Sequence, residues 1–310
     1  MPGRTHTLVW RLIVLETTRF FAAEALIGDG RKNVTGIDLA VVLAVVAVAP
    51  AFGSSIIVNL GSASSFGLLG GTISNTGISQ VTGNVGATTT ITDSGPWVVT
   101  GTVYPAGDPI AMAAYGAIFN AGGAFSTTEG LTSTGSFTTA TSQTFLGNTV
   151  YASSGDISST TGTNLTFNAQ NDPTQVFIIQ IDGALTVNGA MTFTLLGGAN
   201  PDNIFWIVRN IATISVGSSG PITFDGNILA GDTFTMSAAS GGSGVLAGTI
   251  NGCVFTENAN TLAGQTDVNG CAATTAGGTT GVPEPGTVPL LCVGLFALIS
   301  YRWQPRRRAA

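Results

Sequence analysis

The chain is almost bare of side chains that do covalent chemistry. Its one histidine is His6 and its one lysine is Lys32, and between Asn33 and Tyr301 the only base is Arg209. Against that arginine, residues 54–282 carry eleven acids: Asp93, Asp108, Glu129, Asp156, Asp172, Asp182, Asp202, Asp225, Asp232, Glu257 and Asp267, a net charge of about −10 without clustering. A Ser-His-Asp or Cys-His nucleophile needs an imidazole beside the attacking atom, and the body has none. A His-ligated metal, a Schiff-base lysine and a P-loop fall for the same kind of reason. Asp202 and Asp232 are the nearest approach to calcium ligands, but the dense Asp-x-Asp spacing of a calcium loop is missing, so they read as turns and caps. No enzyme, cofactor or metal is expected. A net charge of −6 over 310 residues also argues against nucleic acid, whose phosphates need Lys and Arg. With 44% hydrophobic and only 8% charged residues, charge-driven disorder is excluded, and the 43 glycines follow no collagen period.

What the body does carry is hydroxyl groups at regular intervals. Leu165-Thr-Phe-Asn168, Met191-Thr-Phe-Thr194 and Ile222-Thr-Phe-Asp225 form one strand type. Leu185-Thr-Val-Asn188, Thr213-Ile-Ser-Val216 and Thr233-Phe-Thr-Met236 form a second. A third type is apolar almost throughout: Val176–Ile181, Ile204–Val208, Asn227–Ala230 and Val245–Ile250. The order third, second, first recurs, with first-type threonines at 166, 192 and 223. Repeated short strands in fixed order predict a mainly β protein, a three-sided, right-handed, discontinuous β-solenoid. Two sides alternate apolar-in and Thr-out. The third is apolar on both faces and must be covered. Its cover is the Ala-rich segment from Asp108 to Asn120, predicted as one long α-helix over roughly 108–121, with Asp108 as N-cap and Pro109 in the first turn. It is expected against strands around Ile178, Phe205 and Ile228, with Ala111, Ala114 and Ala117 allowing close approach and Ile110, Ile118 and Phe119 filling gaps. Phe177, Phe205 and Trp206 read as core, and Trp97 and Tyr104 as packing at the approach to the helix. A β-sandwich is the alternative fold, but it explains neither the repeat order nor the single helix.

The two ends read as addresses. Arg31-Lys32, the apolar run Ile37–Val48 and the small residues around Ala49–Gly53 follow the secretory signal pattern. Residues 1–32 are long for such a leader and carry Glu16, Glu24 and Asp29, which puts the expected true start near Asn33 or Val34. The C-terminus has Pro283-Glu284-Pro285, an apolar stretch Val288–Tyr301, then Arg302 and Arg306-Arg307-Arg308. These three parts in order resemble the PEP-CTERM sorting signal of Gram-negative bacteria. That resemblance implies an exosortase-type processing enzyme, membrane contact through a transmembrane segment before processing, and export to the cell surface or matrix. The resulting division is 1–53 leader and signal, 54–270 solenoid domain, 271–281 linker and 282–310 sorting signal. Cys253 and Cys271 lie in the body and Cys292 in the tail. In an oxidising compartment the first two either form a disulfide or remain buried thiols.

In sequence order, Asn59–Gly70, Asn75-Thr-Gly77, Val81–Gly86, the helix with Tyr115, Val176–Gln180, Gly198-Ala-Asn200, Asn203–Val208 and Gly226–Ala230 resemble the bacterial and fungal ice-binding (antifreeze) proteins. The family's Gly-Arg-x-Leu-Ala segment stands here as Gly244-Val-Leu-Ala247, without its arginine. The resemblance implies a discontinuous β-solenoid with a flanking helix, and adsorption to an ice crystal surface through one flat face. Ice is an uncharged lattice, so its binder needs a rigid face of spaced hydroxyl and methyl groups. Threonine supplies both and is stiff at χ1. The favoured face is the second type, with Thr186, Asn188, Thr213, Ser215, Thr233 and Thr235 outward, bordered by Thr161 and Thr163. The rival face presents Thr166, Thr192 and Thr223, where Asp225 interrupts the neighbouring column. A surface or biofilm-matrix adhesion protein on the same fold is the alternative function. A polysaccharide-degrading β-helix enzyme is remote with one arginine in the body.

Overall fold

The computed structural model describes residues 56–271 apart from 139–141, 160–161, 190, 217–219 and 239–245. The leader, the sorting motif and Thr161 lie outside these residues. The fold is mainly β, and the paired strands run parallel in three sheets of thirteen, three and five strands. Alternating Thr and apolar residues make the short strands, and glycines with positive φ, such as Gly189 and Gly226, turn the chain between them.

The thirteen-stranded sheet has two parts. One part is largely apolar: Thr149–Ser153, Phe177–Ile181, Ile204–Val208, Asn227–Ala230 and Val254–Thr256 stack in that order. The other carries hydroxyls: Ile157–Ser159, Leu185–Asn188, Ala212–Ser215, Phe234–Ser237 and Ala259–Ala263. The strand Phe66–Asn75 joins the two. Leu68 and Leu69 pair with Val254 and Phe255, while Thr72 to Asn75 pair with Ala259 to Leu262. It changes direction at Gly70-Gly71, where a Cβ on Gly71 would stand 2.5 Å from Asn258 O. Asn84–Asp93 pairs along its other side. Strands from the start of the described chain thus stack beside those from its end.

Two cores follow from this arrangement. Between the sheets lie Trp206, Phe145, Phe167, Phe177 and Phe224, with Phe145 and Phe167 stacked at 4.8 Å and Trp206 Nε1 donating to Asp225 O at 3.0 Å. Outside the apolar sheet, a second core joins Ile178, Phe205, Ile207, Leu229 and Phe255 to Ala111, Ala114 and Ile118. The expected helix is α1 (Pro109–Phe119), and a short second helix that was not expected, α2 (Ala124–Glu129), follows it. Gly122, at φ +80°, breaks the run. Asp108 caps α1 by accepting from Ile110 N at 2.8 Å. α1 packs on the 3-10 turn Gly61–Ser65 and on strands Phe66–Asn75 and Asn84–Asp93, while α2 reaches Ile204–Val208. Ile178 and Phe205 share this outer core with α1, but α1 packs chiefly on Phe66–Asn75 and Asn84–Asp93 rather than, as expected, on the strands around Ile178, Phe205 and Ile228. Ile228 instead points into the inner core and its neighbour Leu229 faces out. Ile110, expected to fill a gap, is 53% exposed.

The transmembrane expectation is corrected. Among the described residues no helix is long and apolar enough to cross a membrane. The longer one, α1, has 11 residues against the roughly 20 a crossing needs. Val288–Tyr301 lies outside the described residues.

Cys253 and Cys271, 18 positions apart in sequence, are joined in a disulfide with Cα atoms 4.8 Å apart. Buried Asn227 braces the same corner. Its Nδ2 donates to Asp202 O at 2.8 Å and Ile204 O at 3.2 Å, and its Oδ1 accepts from Cys253 N at 3.1 Å. Replacing both cysteines by alanine should cost about 2–4 kcal/mol, since the crosslink restricts the unfolded chain. Urea unfolding with and without reductant checks this: the unmodified domain should shift on reduction and the double variant should not.

Candidate functional site

The hydroxyl-bearing ladder places one outward residue per strand in strict register. Ser158 lies beside Thr186, Thr186 beside Thr213, Thr213 beside Thr235 and Thr235 beside Thr261. Ser74 continues from Thr261, and Thr92 from Ser74. At about 4.8 Å per strand these seven residues span roughly 29 Å. A second column, about 6.7 Å along the strands, runs Asn188, Ser215, Ser237, Ala263. Ser215 and Ser237 hydroxyls approach to 3.4 Å. Neither column contains a charged side chain. Below them Leu185, Val187, Ile214, Phe234, Met236, Leu262 and Ile73 are fully buried, which fixes the strands on a packed base.

Four of the expected residues fall in these columns beside their expected neighbours: Thr186, Asn188, Thr213 and Ser215. Thr235 is in the first column, but one pair along from its expected place. Thr213 aligns with Thr235, not with Thr233. Thr233 precedes its strand and gives its hydroxyl to Asp232 Oδ1 at 3.0 Å. Thr163 is not on this face: it is 5% exposed and begins a strand of the three-stranded sheet. Ser158, Thr261, Ser74, Thr92 and Ser237 were missed. Their signal was present in the alternations Ile73-Ser74, Ile91-Thr92 and Thr261-Leu262, which repeat the pattern of Thr213-Ile-Ser.

The rival threonines do not form one column. Thr166 pairs with Thr194 and Thr144, while Thr192 pairs with Asn164. Thr223 lies in the five-stranded sheet beside Thr249. The three-stranded surface also exposes Leu146 (42%) and Leu196 (47%). On the five-stranded sheet the row of Thr249 continues to Asp267, Gln80 and Val98.

Elsewhere the polar groups do structural work. Arg209 Nε donates to Glu129 Oε1 at 2.6 Å, and the same guanidinium also binds Asp182. Gln180 Nε2 donates to the carbonyls of Thr128, Glu129 and Leu131, the C-terminal end of α2. Together they fasten α2 to the sheet. A cavity of about 450 Å³ beside Asn200, Asp202, Asn251, Asn269 and Cys271 has no His, Lys or Arg in its lining. Among the described residues no group of His, Cys, Asp or Glu could hold a metal.

Fold and face together define a parallel β protein with a long, rigid, uncharged surface, suited to an extended flat target. A family model described as ice-binding-like matches residues 68–269, and the chain belongs to that family. It is 39% identical over 72 residues to ice-binding protein K3-B1 of Typhula ishikariensis, a match covering 23% of this chain and 28% of that protein. It is 35% identical over 89 residues to an ice-binding protein of Flavobacterium frigoris (strain PS1), covering 29% of this chain and 28% of the relative. These matches therefore span little more than a quarter of either relative. Similar solved structures include an ice-binding protein from an Antarctic biological consortium, with TM-score 0.57, 27% identity and coverage of 71% of this chain and 94% of that one. Another is the ice-binding protein of the Antarctic ascomycete Antarctomyces psychrotrophicus, with TM-score 0.57, 27% identity and coverage of 68% and 97%.

Electrostatics separate the faces as well. On the five-stranded sheet, burial pushes the carboxyls of Asp225 and Asp267 above their usual range, and Asn251 Nδ2 partly offsets this at Asp225. A carboxyl with a raised folded pKa holds its proton more tightly in the folded state. Its stabilising contribution is therefore complete at low pH and is lost as pH rises from about 4 through the raised value. Asp225→Asn keeps the acceptor for Asn251 and should flatten this fall. Urea midpoints compared across about pH 4–6 test it; parallel curves for variant and parent would contradict the assignment.

Proposed function

We propose that the domain over 54–270 is a right-handed, three-sided, discontinuous β-solenoid that adsorbs to ice through the column Ser158, Thr186, Thr213, Thr235, Thr261, Ser74 and Thr92. The observation that carries this reading is the unbroken, in-register row of hydroxyls without a charged side chain among them. An ice surface offers no charge for Lys or Asp to pair with, and long charged side chains would blur a flat contact. The rival surfaces are shorter, carry exposed leucines or include a carboxylate. The recurring strand order and parallel pairing support the solenoid description, and the names of the similar proteins support ice as the target. No catalytic role is assigned.

Thr213→Tyr or Thr235→Tyr should abolish most inhibition of ice recrystallisation by residues 54–281. One protruding ring lifts its whole neighbourhood off a flat target, whereas an exposed strand site tolerates the change within roughly 1 kcal/mol. Thr192→Tyr, on the three-stranded sheet, is the matched control and should retain activity. The opposite result would move the binding face to that sheet. No activity in the unmodified domain would favour the surface or matrix adhesion reading.

The protein is further proposed to be exported, with the leader removed near Ala49–Gly53 and the Pro283-Glu284-Pro285 signal read by an exosortase-type enzyme. The charge layout supports this, since nine of the ten bases lie at the two ends of the chain. Intact mass of the native protein should lack residues before about 50; retention of Met1 would refute export by this route.

A further inference from the structure

Three Asn-Gly pairs occur in the chain: Asn188-Gly189, Asn251-Gly252 and Asn269-Gly270. In this dipeptide the glycine nitrogen can attack the asparagine side-chain carbonyl, because no glycine side chain obstructs the approach. The fold treats the three pairs differently. Asn251 donates from Nδ2 to Asp225 Oδ1 at 2.7 Å and accepts at Oδ1 from Asn269 Nδ2 at 2.7 Å, so one network holds both amides. Their glycines are wedged against the neighbouring backbone. A Cβ on Gly252 would lie 2.3 Å from Gly226 O, and one on Gly270 2.4 Å from Thr82 O. Asn188 is different. Its side chain, exposed like that of Asn269, lies outside that network at the end of its strand, and Gly189, itself buried, follows at φ +87°. The one backbone bond to break there is Gly189 N to Ser215 O, which is long at 3.3 Å.

We infer that Asn188, through its juxtaposition with Gly189 at the C-terminal end of a hydroxyl-bearing strand, is a site of spontaneous succinimide formation and deamidation. Gly189 N loses its proton to solvent hydroxide and bonds to Asn188 Cγ. The bond from Cγ to Nδ2 breaks, and ammonia leaves with a proton from water. Water then adds to either imide carbonyl, leaving an aspartyl or isoaspartyl linkage at position 188. No oxidant, reductant or metal is needed. The product places a carboxylate in the second column, beside Ser215 and about 4.8 Å along the ladder from it. Its consequence for function rests on the ice-adsorption reading: the protein would carry a slow chemical lifetime on its own face.

The test ages the folded domain, residues 54–281, in mildly alkaline buffer and follows each Asn-Gly peptide by mass and by isoaspartate content. Conversion at Asn188 should run about tenfold faster than at Asn251 or Asn269: it gives up only the long Gly189 N to Ser215 O bond, whereas those sites release shorter side-chain bonds and must also unseat a wedged glycine, an added cost of order 1.4 kcal/mol, which is tenfold. Asn188→Gln should remove the fast event. Equal rates at the three sites, or a faster one at Asn251 or Asn269, would overturn the inference. Recrystallisation inhibition by fresh Asn188→Asp is read separately. Loss of activity there ties the chemistry to the face. Full activity there would refute the functional consequence even with deamidation confirmed, and inactivity of the fresh parent would instead count against the ice reading.

Discussion

The described fold depends on backbone hydrogen bonds made between neighbouring strands in parallel ladders, most of them in unbroken register. With 8% charged residues, ion pairs contribute little; the described residues show one small cluster, around Arg209. Parallel strands a few residues long have little stability alone, so each must be held by both neighbours and by what lies beneath. The interior supplies that base as a pile of aromatic rings, Phe145, Phe167, Phe193 and Phe224, with Trp206 against them. Beneath the hydroxyl columns the same uniform packing continues in Leu185, Val187, Ile214, Met236 and Leu262. Hydroxyls that repeat at the strand spacing are what such a base presents when every second residue must point outward.

The apolar sheet shows the complementary problem. Its strands are buried on both faces, which in a one-layer stack leaves half of their side chains facing outward. The chain answers with an inserted cover, α1 and α2, that carries Ala111 and Ala114 at the contact and keeps its few charges at the periphery. Arg209 and Gln180 hold α2 from the sheet side. Tyr115 does the same for α1, giving its hydroxyl to Glu257 O at 2.8 Å. The cover and the hydroxyl face occupy different parts of the same sheet, so one can be anchored without touching the other.

The sequence made the strand types and the helical cover readable, because these depend on local alternation and composition. It misaligned two ladders by the same amount. Thr233 was matched to Thr213, and Thr192 to Thr166, where the pairs are Thr235 with Thr213 and Thr194 with Thr166. A slip of two residues in a strand leaves every side chain on its proper face, so the hydrophobic pattern cannot detect it. The phase of the apolar strand was ambiguous for a related reason. With both faces buried, Ile228 and Leu229 look alike in sequence, and only the three-dimensional stack assigns one inward and one to the helices. The contribution of Ser74, Thr92 and Thr261 was hidden differently. Ser74 and Thr261 are neighbours in space, yet separated by most of the domain in sequence.

That closure has a temporal consequence. Phe66–Asn75 is made early on the ribosome, but two of its partners, Val254–Thr256 and Ala259–Ala263, are made near the end of the domain. Until they emerge, the early strand has only Asn84–Asp93 beside it, and the corner at Gly70-Gly71 has nothing to wrap. Loop closure over such a distance is slow and comes late. The nascent chain therefore cannot finish folding turn by turn as a simple repeat array would. Two of the three partners of Phe66–Asn75 are missing until the last strands of the domain have been made.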